Sequence, residues 1–291
     1  MIYGYYPGCC LNTTCKDFDT SLRSVLKALD MPIREVKRWS CCGSSAVHIA
    51  SRQMAASLAM TNLAKAEEQG FEQMLVPCAY CYARFKFAMH EMDKDPELRQ
   101  NVEDTLKHKF TGRVKIIHPL EFFAAEEVSK RIASSRKRDL SSLKVVCYYG
   151  CFLSRPPDHF ENAEFPQTMD RAVKAAGATV LDWGYRTDCC GGNFSLTRTD
   201  IALKLTKDIL DGAKQAGADA IVVTCPFCHM NMDARQSEIE AKYDVKYGLP
   251  VYYYSQVLAA ALGAPEKELM LHMHFVHPQR MLEKAGSHGK Q

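Results

Sequence analysis

The 291-residue chain carries no charge excess: 37 Lys and Arg stand against 34 Asp and Glu, a net of +3. The basic footprint of a nucleic-acid-binding protein is therefore excluded. A run fit for a bilayer is also missing. The longest apolar stretch, Leu249 to Pro265, is broken by Ser255, Gln256 and Gly263 and falls short of the roughly 20 residues that a spanning helix needs. The N-terminus MIYGYYPGCC has neither a basic n-region nor a long apolar core, so no secretory signal is read there. No Gly-x-Gly-x-x-Gly follows a predicted strand and no Cys-x2-Cys-x2-Cys-x3-Cys run occurs, which removes the dinucleotide fingerprint and the ordinary ferredoxin wire. What abounds is cysteine: thirteen, an odd number. Without secretion these read as thiols of a reduced, cytoplasmic protein rather than as disulfide staples. Apolar residues at 47% and charged ones at 24% are ordinary globular values, and the length fits about two domains.

The chain repeats itself. Tyr5-Tyr6-Pro7-Gly8-Cys9 matches Tyr148-Tyr149-Gly150-Cys151, Ser40-Cys41-Cys42-Gly43 matches Asp188-Cys189-Cys190-Gly191, and Val76-Pro77-Cys78-Ala79-Tyr80-Cys81 matches Val223-Thr224-Cys225-Pro226-Phe227-Cys228. The offsets of 142, 148 and 147 leave room only for small insertions, so duplication is the reading. It predicts a first domain over 1–140 and a second over 141–291. The Lys-, Arg- and Ser-rich stretch from Ser129 to Ser142 is expected to be a solvated linker between them.

Val145–Tyr149 and Ala220–Thr224 are short apolar runs that read as buried strands. Leu22, Val25, Leu26 and Leu29, and in the second half Ile201, Leu205, Ile209 and Leu210, recur at helical spacing as core-facing stripes. The expected fold is α/β: two repeated Rossmann-like lobes with mostly parallel sheets, related by a pseudo-twofold. Ligands gather at the carboxyl ends of strands in such sheets. Cys9, Cys78, Cys151 and Cys225 each follow a predicted strand, so the cysteines of one half are expected to converge.

The repeated positions are Cys9, Cys41, Cys42, Cys78 and Cys81, then Cys151, Cys189, Cys190, Cys225 and Cys228. Cys10, Cys15 and Cys147 have no counterpart and read as small buried apolar residues. Zinc takes four thiolates from two Cys-x-x-Cys pairs, whereas each half here offers one such pair and one vicinal pair. A redox dithiol leaves three thiols per half unexplained. An iron–sulfur cluster uses several cysteines at such spacings, and five donors exceed the four of a cubane, so an expanded cluster is preferred. Histidine is the natural proton donor near neutral pH; His229, next to Cys228, and His48, after the Cys-Cys-Gly turn, are the candidates, with Tyr6, Tyr149 and Arg186 weaker. The other histidines, among them His272, His274 and His277, read as surface. Tyr5, Tyr6, Tyr80, Tyr82, Phe85, Tyr148, Tyr149, Phe152 and Phe227, close to the cysteines, are read as a low-dielectric shell or as plain core.

The order Cys, Cys-Cys-Gly, Cys-x-x-Cys, present twice with gaps of 32 and 36 residues and then 38 and 35, resembles the cysteine-rich CCG domain family. Two full copies in one chain most resemble the HdrB family, the B subunits of heterodisulfide reductases. The resemblance implies two noncubane 4Fe–4S clusters held by the ten cysteines above, no flavin in this chain, and a disulfide cleaved or formed between the clusters. The substrate would be a heterodisulfide of the coenzyme M–coenzyme B type or another sulfur carrier. A histidine follows the first cysteine of the second copy in the methanogen enzymes; Phe152 stands here, which sets the methanogen substrate apart from cluster binding. The resemblance also implies two partners, a ferredoxin-like HdrC-type protein and a flavoprotein of the HdrA type. An electron-transfer subunit of a CCG-type dehydrogenase or quinone-linked complex is the alternative function, and a zinc scaffold a third. The tail Leu271–Gln291, with Phe275, Val276 and Met281, reads as a docking strap or a frayed end.

Overall fold

The computed structural model describes residues 2–44, 47–108 and 110–287. Strands β1 (Tyr3–Tyr5), β2 (Ile33–Glu35), β3 (Gln73–Leu75) and β4 (Lys115–Ile117) form a parallel sheet in the order β2-β1-β3-β4. A two-residue strand β5 (Arg138–Asp139) follows. Then β6 (Lys144–Tyr148), β7 (Thr179–Val180), β8 (Ala220–Val223) and β9 (Val251–Tyr253) repeat the arrangement as β7-β6-β8-β9, again parallel. Finally β10 (Gly286–Ser287) returns antiparallel to β5. The expected pair of Rossmann-like α/β lobes is therefore present.

Parallel pairing forces a crossover after every strand, and helices cover the faces that this buries. The run Ala220–Val223 is wholly buried, as four consecutive apolar residues in a central parallel strand should be. Helix Lys16–Ala28 buries Leu22, Val25 and Leu26 as the stripe predicts. In helix Thr199–Gln215 the buried face is instead Ala202, Leu203, Thr206, Ile209, Leu210 and Ala213. Ile201 and Leu205 are only partly buried, because the core stripe is rotated by about one residue and runs through small side chains that a search for large aliphatics passes over.

The basic stretch is structured rather than a free linker. Helix Glu126–Ser134 buries Ile132, and three of its neighbouring groups cap other elements. Arg131 Nη2 donates to the Leu29 carbonyl at 2.6 Å. Arg138 Nη1 donates to the Ala260 and Ala264 carbonyls at 3.0 and 2.9 Å, and the Lys137 amide donates to Ala261 at 2.7 Å. Carbonyls at the ends of helices Lys16–Ala28 and Tyr254–Ala261 thereby gain two guanidinium groups and one backbone amide as donors, and the guanidinium charges also suit the negative end of the helix dipole. The two lobes are sewn together by the same helices: Ser21 and Ser255 hydroxyls bond at 2.7 Å, and Phe18 stacks on Tyr253 at 4.2 Å.

Where it is described the tail is packed on the second lobe rather than frayed. Met281 is fully buried, its amide donates to the Tyr252 hydroxyl, and the Phe275 and Val276 amides donate to Asp233. Residues 288–291 lie outside the described residues. No described helix is long and apolar enough to cross a membrane.

Candidate metal centres at the strand ends

Each lobe presents its cysteines from three places: the short helix after the first strand, the Cys-Cys-Gly turn, and the start of the helix after the third strand in sequence. Cys9 lies in helix Gly8–Asn12 and Cys151 in Gly150–Ser154. Cys78 and Cys225 occupy the N-cap positions of helices Ala79–Lys94 and Pro226–Asp233, with Cys81 and Cys228 in their first turns. Positive-φ glycines allow these turns. Gly8 (φ +68°) and Gly150 (φ +66°) leave the space where a Cβ would stand 3.1 Å from Cys81 Sγ and 3.4 Å from Cys228 Sγ. Gly43 and Gly191 close the vicinal turns at φ +78° and +74°, a conformation that costs glycine little.

The sulfurs meet in the same order in both halves. Cys41 Sγ is 4.0 Å from Cys9 Sγ, and Cys42 Sγ is 3.3 Å from Cys81 Sγ, which touches Cys78. In the second half Cys151 and Cys189 are 4.0 Å apart, Cys190 and Cys228 are 3.4 Å apart, and Cys228 touches Cys225. All ten repeated cysteines are thus brought together in two groups of five. Neighbouring thiols shift in opposite directions: hydrogen bonds from Cys42 and Cys9 pull the Cys41 thiol down, while the bond to Cys41 pushes Cys42 up. The Cys151 contact lowers Cys189 and raises Cys151 itself. Five thiols in contact within a largely buried shell form a donor set that suits a polynuclear thiolate-bound metal and leaves a lone zinc ion one ligand over.

Tyrosines hold both vicinal turns in place. The Tyr6 hydroxyl donates to the Ser40 carbonyl at 2.7 Å, and the Tyr148 hydroxyl donates to the Asp188 carbonyl at 2.5 Å. These are matching bonds to the residue before each Cys-Cys pair. Burial first, then the surrounding cysteines, raises both phenols, so they stay protonated donors. Asn62 Oδ1 accepts the Ser40 amide, and Asn231 and Thr206 donate to the Cys190 carbonyl. The aromatic residues named from sequence are buried except Phe152 and Phe227, which are partly exposed. Tyr149 bonds Asp170 at 2.5 Å, and Arg186 joins that cluster through Asp170 and the Pro166 carbonyl.

The histidines fall differently from their sequence reading. His118 is fully buried between the lobes. Its Nδ1 accepts from the Leu120 amide, so the ring proton sits on Nε2, 2.9 Å from the Pro77 carbonyl and 3.0 Å from Thr224 Oγ1. Pro77 and Thr224 immediately precede Cys78 and Cys225, so one imidazole ties the two ligand turns together. No local pattern marks it, because its partners are more than 40 residues away in either direction. His274 is also buried: its Nε2 lies 3.1 Å from Asp17 and 2.7 Å from Gln256, and its Nδ1 lies 2.9 Å from the Val251 carbonyl. The network continues to His229 Nε2, 3.2 Å from His274 Nδ1. His272 and His277 are exposed as expected. Burial lowers His229 to about 3, so it is a neutral imidazole. His48 is half-buried with Nδ1 unpartnered among the described residues.

Between the lobes lies an apolar cavity of about 570 Å³ whose walls include Cys10, Cys15, Asp17, Phe227, His229 and Tyr253. Cys10 and Cys15 are therefore partly buried against the core with one side on the cavity, and Cys147 is fully buried as read. A smaller cleft of about 350 Å³, with Cys151, Cys189, Asp188 and Arg155 on its walls, opens beside the second group.

The family model described as a cysteine-rich domain, CCG, matches twice, over residues 3–86 and 145–233. Among curated proteins the chain is 29% identical over 284 residues to the 8-methylmenaquinol:fumarate reductase membrane anchor subunit of Wolinella succinogenes, covering 96% of this chain and 98% of that one. It is 29% identical over 287 residues to the B subunit of ferredoxin:CoB-CoM heterodisulfide reductase from Methanosarcina mazei, covering 96% and 95%. It is 27% identical to a protein of Archaeoglobus profundus described as like the B subunit of heterodisulfide reductase, covering 91% and 92%. A hypothetical protein from Helicobacter pylori shares the fold with a TM-score of 0.76 at 12% identity; the match covers 94% of this chain and 52% of that one.

Proposed function

For a chain that belongs to the cysteine-rich CCG domain family in two copies, and to its HdrB branch, we propose the role of iron–sulfur catalytic subunit in a heterodisulfide reductase-like complex. It would cleave or form a disulfide between the two groups of five cysteines. The observation that carries this reading is the convergence of five sulfurs from three separated segments, in the same order, twice. The ten cysteines would hold two noncubane 4Fe–4S clusters. Such clusters, when bound, supply single electrons and a site for sulfur.

The chain's own residues do the rest. Tyr6 and Tyr148 fix the vicinal turns, His118 fixes one lobe's ligand turn against the other's, and Phe227 gives the cavity an apolar wall. Of the two histidines read from sequence, His229 lines the cavity and is the stronger candidate for proton handling. Held neutral by burial, its imidazole offers a hydrogen bond to a sulfur in the cavity while protons move to or from it, with His274 and Asp17 behind it. His48 has no place on that cavity wall. With neither a dinucleotide fingerprint nor a ferredoxin run in the chain, electrons come from partners, one ferredoxin-like and one a flavoprotein.

The 29% identity to a component of a quinol:fumarate reductase favours one second reading, an electron-transfer subunit of a quinone-linked complex. Electron paramagnetic resonance of the anaerobically purified protein, recorded before and after adding a small thiol, separates the two. A signal created or reshaped by the thiol supports sulfur chemistry at the site; spectra indifferent to thiol support the relay.

A further inference from the structure

Cys10 and Cys15 stand outside the ten repeated positions, and the second half has Phe152 and Pro157 in their places. Phe152 stacks on Tyr80 at 3.8 Å and fills its side of the lobe interface. On the other side Phe227 replaces Tyr80 and the smaller Cys10 replaces Phe152, and there the 570 Å³ cavity opens with both unrepeated thiols on its wall. The two cysteines are held as a pair. The Cys15 amide donates to the Cys10 carbonyl at 2.8 Å, which with standard backbone dimensions limits their Cα separation to about 6.7 Å. A disulfide spans about 4.4–6.8 Å between Cα atoms, and the two side chains already touch. Hydroxyls attend Cys15: Thr14 Oγ1 lies 3.6 Å from its sulfur. The Tyr253 ring is clamped between Phe18 and His229 at 4.2 and 4.5 Å. Its buried hydroxyl has no oxygen or nitrogen partner among the described residues and lies against the same thiol.

We propose that Cys10 and Cys15 are a redox-active dithiol that exchanges with a small-molecule disulfide admitted to the inter-lobe cavity. The proposal rests on the function above only for the class of substrate. Cys15 sulfur forms a bond to one substrate sulfur, the substrate S–S bond breaks, and the departing sulfur leaves as a thiol with the Cys15 proton. Cys10 sulfur then displaces the second half, forming the Cys10–Cys15 disulfide and releasing a second thiol with the Cys10 proton. One disulfide is reduced and one dithiol oxidised. Return to the dithiol takes two electrons and two protons, the electrons from the reduced partner proteins. The Thr14 and Tyr253 hydroxyls stabilise charge on Cys15 sulfur as it attacks the substrate in the first displacement.

The test equilibrates the anaerobically purified, iron-loaded full chain in buffers of reduced and oxidised dithiothreitol, quenches with acid and alkylating agent, and maps the tryptic peptide that ends at Lys16. Expected is an internal Cys10–Cys15 bond, assigned by fragmentation, that rises with oxidation while Cys9 stays alkylated. Oxidised glutathione should leave glutathione on Cys15 in the Cys10→Ser variant. Cys10 and Cys15 both remaining alkylated across the whole series would overturn the proposal. Loss of iron from Cys10→Ser would also overturn it, making Cys10 a ligand. Iron counted on the same samples reports separately on the clusters: an iron-free chain that still forms the bond supports the dithiol and overturns the cluster reading.

Discussion

His118 and Thr224 meet at 3.0 Å across the two lobes, and the same imidazole nitrogen reaches the Pro77 carbonyl at 2.9 Å. The turn that carries Cys78 and the turn that carries Cys225 are thus registered against each other by one buried side chain. Replacing His118 with Ala leaves the Pro77 carbonyl without its partner and opens a cavity. The expected loss is about 1–3 kcal/mol for the unsatisfied group, with a further packing cost. Thr224→Val, which keeps volume, should lose less. Thermal midpoints of the two variants check the order.

The same histidine makes stability depend on pH. Burial first of all lowers its folded-state value to about 3, against an unfolded value near 6.5. Between those limits the unfolded state binds more protons, so His118 contributes stability that is full above about pH 6.5 and drains away as pH falls, by about 1.4 kcal/mol per unit. Thermal midpoints of the wild type should fall on acidification from pH 7.5 to 5.5. His118→Gln, which cannot titrate, should show a shallower slope. Parallel slopes would remove His118 from the account.

Gly8→Ala and Gly150→Ala test the two sulfur groups separately. Each added Cβ meets a cysteine sulfur, at 3.1 Å from Cys81 and 3.4 Å from Cys228, on backbone that an L-residue adopts only under strain. Each variant should lose metal from its own half alone, with the tighter Gly8 site the more affected. Metal analysis and the spectrum of the surviving half read this out.

The matching tyrosines give a milder version. Tyr6→Phe and Tyr148→Phe each free the carbonyl ahead of a Cys-Cys pair, at an expected cost of about 1–3 kcal/mol. Metal content should stay whole, while the spectrum of one group shifts in each variant. A spectrum unmoved in both would confine the hydroxyls to a structural part.

The repeat of tyrosine, glycine and cysteine was legible from the residues because each copy calibrates the other, and the alternation of short apolar runs with helical stripes gave two α/β lobes. Ile201 and Leu205 misled because the true core face of their helix is carried by Ala202, Thr206 and Ala213. Arg131 and Arg138 looked like solvated charge because their partners, the Leu29, Ala260 and Ala264 carbonyls, are backbone atoms more than 100 residues away. His118, His274 and the cavity beside Cys10 and Cys15 arise only where one lobe touches the other. No periodicity along the chain encodes that contact.

The most direct measurement is the metal itself. Protein purified without oxygen should hold about eight irons with matching acid-labile sulfide, and Cys42→Ser and Cys190→Ser should each retain about half. Zinc in place of iron, or iron that stays whole in both variants, would contradict the assignment of these ten cysteines.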